Sequence, residues 1–297
     1  MRWVSDRRQH SLPDISIRQL EYLVAIADST TWAVAAESVG VSASALSQGL
    51  SELERRIGVA LFESVGRRRL LRPAAQPALD HARQVVSLTH DLTRWADRLG
   101  SAQSGRVTVG MIDVAAVDYF PTILRSFRDD RPDVELRLSV APSRRLLDDL
   151  QGGRLDLVVC VAPPEPVAGV DTVALMSEPL VVYAPQEIQI GPPSTWGPWV
   201  LFPDDSHTRR LVVDHLARLG APVEVVAESH QPEVLREMVI LGMGWTVLPR
   251  SQGEGGATDP TVGQQLLERD LVIATRSGSV SDPAADALAA ALLAASR

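Results

Sequence analysis

The residues of the N-terminal region best suited to chemistry are hydroxyls and one amide at helical spacing. Ser42, Ser44, Ser47, Gln48, Ser51 and Arg55 fall on one side of a predicted helix over 43–58, with Leu46, Leu50, Leu53 and Ile57 on the other. Hydroxyls and amides can read base edges in the major groove of DNA, and few charges compete with them here. The same spacing describes an ordinary surface helix with a solvated serine-rich side. The neighbouring elements decide between these readings.

Those neighbours form a compact arrangement. The spacing of Leu20, Leu23, Val24 and Ala27 predicts a helix over 17–28. Thr31 is placed to cap a second helix over 32–40, and Gly40 ends it. A tight Gly40-Val41-Ser42 turn then leads into the serine-rich helix, which Ser42 caps, and small Ala35 and Ala36 sit where two helices would cross. This is the helix-turn-helix arrangement, whose second helix enters the major groove. A basic hairpin follows, with Gly66 at its turn. Arg67, Arg68 and Arg69 on this wing are suited to clamp phosphates, which orient a protein on the duplex. Arg72 could add one such contact.

A longer helix is predicted from Pro73 to about Leu99. Ala75, Ala78, Ala82, Val85, Thr89, Leu92, Ala96 and Leu99 alternate spacings of three and four, a seam of mostly small side chains. One helix cannot bury such a seam alone, and the simplest partner is the same helix of a second copy. Packing on its own domain is the alternative. GSAQSG (100–105) has the composition of a hinge, and residues 1–14 read as a flexible extension.

From Arg106 onward, short apolar strands alternate with helical segments, which predicts an α/β fold. Strands are expected at 106–111, 134–141, 155–162, 179–185, 199–203, 223–229, 244–249 and 270–276. Helices are expected at 117–132, 143–153, 232–241 and 283–295, with loops at 186–198 and 252–259.

Composition narrows the function classes. The 297 residues carry a net charge of −8, divided as +2 over residues 1–99 and −10 over the remainder. All 29 basic residues are arginine, which excludes Schiff-base, pyridoxal-phosphate and phosphate-loop chemistry that requires lysine. The single cysteine, Cys160, excludes a disulfide framework and a multi-cysteine zinc site within one chain. Buried in a predicted strand with no resolving partner, it reads as a small hydrophobe and not a redox sensor. Gly-x-Ser-x-Gly, His-Glu-x-x-His and Gly-x-Gly-x-x-Gly are all absent, so neither an enzyme nor a cofactor nor a metal is indicated. No secretory signal is evident, and the apolar runs fall far short of the roughly 20 residues of a membrane span, so a cytoplasmic location is expected.

The run from Ile17 to Ala82 resembles the winged helix-turn-helix of LysR-type transcriptional regulators. The resemblance is carried by RQLEYLVAIAD, Ala35-Ala36-Glu37, VSASALSQGLSELERRIGVALFE and LLRPAAQPALDHAR. The family usually starts its recognition helix Ser-Gln-Pro-Ala-Leu-Ser-Arg; Ser42-Ala43-Ser44-Ala45-Leu46-Ser47-Gln48 departs from it, which implies a deviating operator. Gly49 in mid-helix costs about 1 kcal/mol against alanine and either permits a close backbone approach or is merely tolerated. Arg72 and Ala75 replace a usual Thr and Gly.

The order of the C-terminal elements, with LLDDLQGGRLDLVV and LREMVILGMGWTVLP, resembles the LysR effector domain, a periplasmic-binding-protein-like pair of α/β subdomains around a cleft. The resemblance implies a DNA-binding domain (15–72), a dimerising linker helix (73–99) and an effector domain (106–297). The latter divides into one subdomain (106–163 and 268–297) and another (164–267), with the chain crossing near Pro163–Pro166. It also implies an imperfect palindromic double-stranded DNA site, a dimer that assembles further into a tetramer, and a small effector. Carried over by position, the effector residues are Ile112, Asp113, Ser143 at its helix cap, Val161, Ala162, Phe202, His207, His230, Gln231 and Thr246. Arg144 and Arg145 are more readily solvated. The alternatives are a solute-binding protein or small-molecule enzyme on the cleft fold, and an architectural DNA-binding protein without an effector.

Overall fold

The computed structural model describes residues 14–65, 68–100, 105–255, 259–280 and 282–296. The expected extension (up to Pro13), most of the expected hinge, and Arg67 lie outside the described residues. The chain divides into two compact units, Met1–His90 and Asp91–Arg297.

In the first unit, α1 (Ile17–Asp28), α2 (Trp32–Ser38) and α3 (Ala43–Ile57) form as the apolar spacing predicts. Ser16 and Gln19 make a reciprocal capping box on α1, each backbone N–H donating to the other's side chain. Thr31 and Ser42 cap α2 and α3, and Gly58 ends α3 at a φ of 71°, a left-handed C-cap. β1 (Phe62–Val65) and β2 (Arg68–Leu71) pair antiparallel as the wing, Phe62 opposite Leu71. Glu54 holds this hairpin against α3, its Oε1 accepting from the backbone N–H groups of Leu61 and Phe62 at 2.8 and 3.2 Å.

After a 3₁₀ turn over Pro73–Ala75, α4 (Gln76–Gly100) begins. Ala75, Leu79 and Ala82 are buried in the same core as Leu23, Leu46, Leu50 and Leu53. The front of the predicted seam is thus used on its own domain, and Leu79, outside the seam, is its largest buried side chain there. Leu92 and Trp95, farther along, are exposed.

The second unit is built on a six-stranded sheet. In chain order its elements are β3 (Arg106–Met111), a π-helical turn (Ala115–Tyr119), α5 (Pro121–Asp130), β4 (Glu135–Val140), α6 (Ser143–Gln151), β5 (Leu157–Val161) and β6 (Val170–Ala184). Then come β7 (Trp199–Leu201), α7 (His207–Arg218), β8 (Val225–Glu228), α8 (Pro232–Ile240), β9 (Thr246–Pro249), α9 (Arg250–Gly253), β10 (Thr261–Arg276) and α10 (Pro283–Ala295). The sheet order is β4-β3-β5-β10-β6-β9. β3 runs parallel to β4 and β5, whereas β10 runs antiparallel to both β5 and β6. β7 and β8 pair in parallel and meet β9 through a Trp199–Trp245 bridge.

Two features differ from the expected elements. The strands expected at 179–185 and 270–276 are the C-terminal parts of two long paired strands, β6 and β10, which run through two hydrophobic cores. Leu175 and Met176 on β6 still pack in the first core, with Met111, Leu146, Leu157 and Leu288. Leu180 and Val182 belong to the second, with Trp196, Trp199 and Trp245. The change of core comes in mid-strand near Glu178, not at the Pro163–Pro166 turn. α7, capped by Ser206, is absent from the predicted elements. Its apolar residues are bunched at Leu211–Val213 and Leu216–Ala217, and the Arg and His around them dilute the periodicity.

Candidate functional site

Two regions present side chains suited to binding. The first is the outer face of α3. Leu46, Leu50 and Leu53 are fully buried on its inner side, so Ser42, Ser44, Gln48, Ser51 and Arg55 are turned outward and exposed, with Ser47 half-buried. Not all are equally available. The Ser42 hydroxyl accepts from the Ala45 N–H and lies 3.0 Å from the Ser44 hydroxyl. Thr31 is similarly engaged, accepting from the Val34 N–H. Arg55 donates to Glu52 at 2.7 Å, and hydrogen bonds from Arg55 and Arg56 hold the Glu52 carboxyl down at about 2. Arg72, though exposed, donates from Nε to the Phe62 carbonyl. Among the described residues, the Ser47, Gln48 and Ser51 side chains make no hydrogen bond and remain free to meet a ligand. Arg68 and Arg69 lie on β2 opposite Val65 and Ser64.

Gly49 has a definite packing role. A Cβ there would lie 2.7 Å from Cδ2 and Cε2 of the Tyr22 ring. The missing side chain lets α3 approach α1, which settles the two readings of this glycine in favour of close approach.

The second region is a cavity of about 340 Å³ in the second unit. Seven of the ten expected residues line it: Ile112, Asp113, Ser143, Val161, Phe202, His230 and Gln231. They arrive from the end of β3, the start of α6, the end of β5, the segment after β7 and the entry to α8. Ala162, His207 and Thr246 are not on its wall. The Ala162 N–H is taken by the Asp270 carbonyl, and Thr246 is fully buried on β9 beside Tyr183 of β6. The His207 Nδ1 lies 3.4 Å from the Val161 carbonyl, and burial lowers its pKa.

Ser143 is also not the cap that the sequence suggested. Pro142 occupies the cap position of α6, and Ser143 is the first helical residue. Its Oγ accepts from the Val161 N–H at 3.2 Å, fastening α6 to β5 at the cavity wall. Arg144 and Arg145 do not line the cavity, and Arg145 pairs with Asp149 one turn along.

Several lining residues were not legible in the sequence. Arg269 of β10 is 5% exposed; its Nε donates to Glu178 of β6 at 2.6 Å and its Nη1 to Thr208 at 2.6 Å. The Tyr119 hydroxyl completes this network, donating to Glu178 at 2.7 Å. Gln252 of α9 donates to the Asp113 carboxylate at 3.1 Å. Burial, and then the negative charges of Glu233 and Asp118, raise the Asp113 pKa. A buried arginine requires an anion, but no local pattern pairs residues 91 positions apart. Among the described residues, no group of three or more His, Cys, Asp or Glu side chains could hold a metal ion.

Comparison with known proteins accounts for both regions. Residues 17–76 match the family described as bacterial regulatory helix-turn-helix protein, lysR family, and residues 100–297 match the LysR substrate binding domain. A relative from Streptomyces viridosporus, named a probable hydrogen peroxide-inducible genes activator, is 31% identical over 296 residues, covering 93% of each chain. The DNA-binding transcriptional dual regulator OxyR of Escherichia coli strain K12 is 30% identical over 243 residues, 79% of each chain. Among solved structures, a full-length OxyR variant from Pseudomonas aeruginosa shares the fold with a TM-score of 0.60 at 24% identity, covering 94% of this chain and 98% of that one. Full-length CbnR in complex with its target DNA superposes with a TM-score of 0.53 at 18% identity, covering 95% and 100%. With a helix-turn-helix of the LysR kind at one end and a LysR substrate-binding domain over the rest, the chain belongs to the LysR family of transcriptional regulators, DNA-binding proteins that respond to an effector.

Proposed function

We propose that the outer face of α3 reads the bases of an imperfect palindrome, with Gln48 and Ser47 as principal readers and Ser44 and Ser51 flanking them. The observation that carries this reading is that Ser47, Gln48 and Ser51 keep uncommitted polar side chains, Gln48 and Ser51 exposed, opposite a fully buried leucine stripe. In the same reading Arg67, Arg68, Arg69 and Arg72 hold phosphates. The linker helix joins two copies, which further assemble as a tetramer. The cavity lined by Ile112, Asp113, Ser143, Val161, Phe202, His230 and Gln231 holds the effector, and it is a sensing site, not a catalytic one. The division into 15–72, 73–99 and 106–297 serves these three roles. Among the described residues no helix is long and apolar enough to cross a membrane, and we place the regulator in the cytoplasm with its DNA.

Several relatives are named for induction by hydrogen peroxide. We do not extend a thiol mechanism to this chain. Cys160 is its only cysteine, so an intrachain disulfide has no second sulfur. It is fully buried on β5, and burial pushes its thiol up to about 12, away from the reactive thiolate.

The test is footprinting on the intergenic DNA beside the protein's own gene, against a random competitor. A protected, competitor-resistant site with two-fold symmetry is expected. Gln48→Ala should weaken binding to that site by about 1–3 kcal/mol more than to random DNA. Equal loss on both would remove Gln48 from sequence reading.

A further inference from the structure

The charges around the cavity select a class of effector, given that the cavity is the effector site as read above. Asp113 brings a carboxylate to its wall, and the partner of that carboxylate among the described residues is the neutral Gln252 amide. The buried cation on the same wall, Arg269, is already matched by Glu178 at 2.6 Å. The three groups together therefore leave one negative charge, and a simple anion would be repelled.

The rest of the wall offers donors. Arg269 uses Nε on Glu178 and Nη1 on Thr208, while its Nη2 makes no hydrogen bond among the described residues. Its side chain is 5% exposed and lines the cavity, so this N–H donor is available to an acceptor bound there. Two helices of nine residues, α6 and α8, begin at the same wall. Their cap residues, Pro142 and Gln231, supply no side-chain acceptor, which leaves first-turn N–H groups open. An organic cation would satisfy Asp113 and leave these donors bare. An anion would do the reverse. A molecule carrying both charges satisfies both, and 340 Å³ lies near the small end of ligand pockets, which span roughly 300–1,000 Å³.

We propose that the effector is a small zwitterion of the α-amino acid class, its ammonium group at Asp113 and Gln252, its carboxylate at Arg269 and the open helix starts. The side chain of the amino acid then faces Phe202, Ile112 and Val161.

The test uses the full-length chain, thermal-shift measurement and titration calorimetry. The probes are the twenty L-amino acids and, for each one that binds, its decarboxylated amine and its deaminated carboxylic acid. At least one amino acid should raise the melting temperature, with both matched partners at least about tenfold weaker. Asp113→Asn should weaken that amino acid by about tenfold or more while leaving the melting temperature of the free protein no lower. Arg269→Lys, checked for folding by circular dichroism, should weaken it similarly. Binding of the acid equal to the amino acid and improved by Asp113→Asn would overturn the proposal in favour of an anion. An amine that binds as tightly would overturn it in favour of a cation. Absence of binding by all twenty would also overturn it. Footprinting distinguishes these failures from failure of the broader reading, because a protected operator stands whichever effector class is correct.

Discussion

At the scale of single residues, two side chains have consequences opposite to what their types suggest. Alanine is the better helix former by about 1 kcal/mol, so Gly49→Ala ought to stabilise an isolated α3. In the folded domain the new methyl would sit 2.7 Å from the Tyr22 ring, and overpacking of this kind costs about 1–3 kcal/mol. A net loss of about 1 kcal/mol or more is expected in chemical denaturation, and it should shrink when Tyr22 is replaced by leucine. His207 is the second case. Burial lowers its pKa below the ordinary 6.5; the Val161 carbonyl opposes this in part, Arg144 and Arg210 add to the lowering, and Asp205 opposes it least. The unfolded chain then takes up its proton first, so stability falls as pH drops below about 6.5. His207→Gln should lose less melting temperature between pH 7.5 and 5 than the native chain. An equal loss would place the acid sensitivity elsewhere.

At the scale of elements, α4 does two jobs along its length. Its first turns close the core of the DNA-binding domain with Leu79 and Ala82, next to Ala75 of the preceding turn. Farther along, Asp91 forms a buried pair with Arg276 of β10 at 2.8 Å, and Arg276 also donates to the Leu150 and Leu155 carbonyls. Between these anchors and its end, the helix presents Leu92, 54% exposed, and Trp95, 40% exposed. Large apolar side chains on a helix face would suit a second helix; of these two only Leu92 belongs to the predicted seam, and we propose it as the contact. Leu92→Glu should convert the dimer to a monomer in sedimentation velocity with the circular dichroism spectrum unchanged. Persistence of the dimer would move the interface off this face. The wing shows the same economy: Glu54 of α3 accepts from the first residues of the hairpin, so the helix that presents Gln48 also fixes the arm that carries the arginines.

At the scale of the whole molecule, a basic-leaning N-terminal third on an acidic remainder suits a protein that meets DNA with one end and a small molecule with the other. Its signalling should be indifferent to thiol redox state: footprint affinity with hydrogen peroxide or with dithiothreitol is expected to agree within about twofold, since Cys160 has neither a partner sulfur nor access to oxidant. A larger, reversible change would show that Cys160 reacts despite its burial. The helix-turn-helix, the wing and most of the strand order were legible from residues alone. They depend on local periodicity, caps such as Thr31 and Ser42, and apolar runs, all of which act over a few positions. Seven cavity residues were reached only through the family resemblance, which carried positions over onto strand ends and helix starts. Other features required the tertiary structure. The Glu178–Arg269 pair, the Asp113–Gln252 hydrogen bond and the Tyr22–Gly49 contact join residues 91, 139 and 27 positions apart, and spacing carries no information about such partners. Ser143 shows the boundary most clearly: its place at a helix start was written in the sequence, but whether its hydroxyl capped α6 or held β5 was decided by which backbone N–H the fold brought within reach.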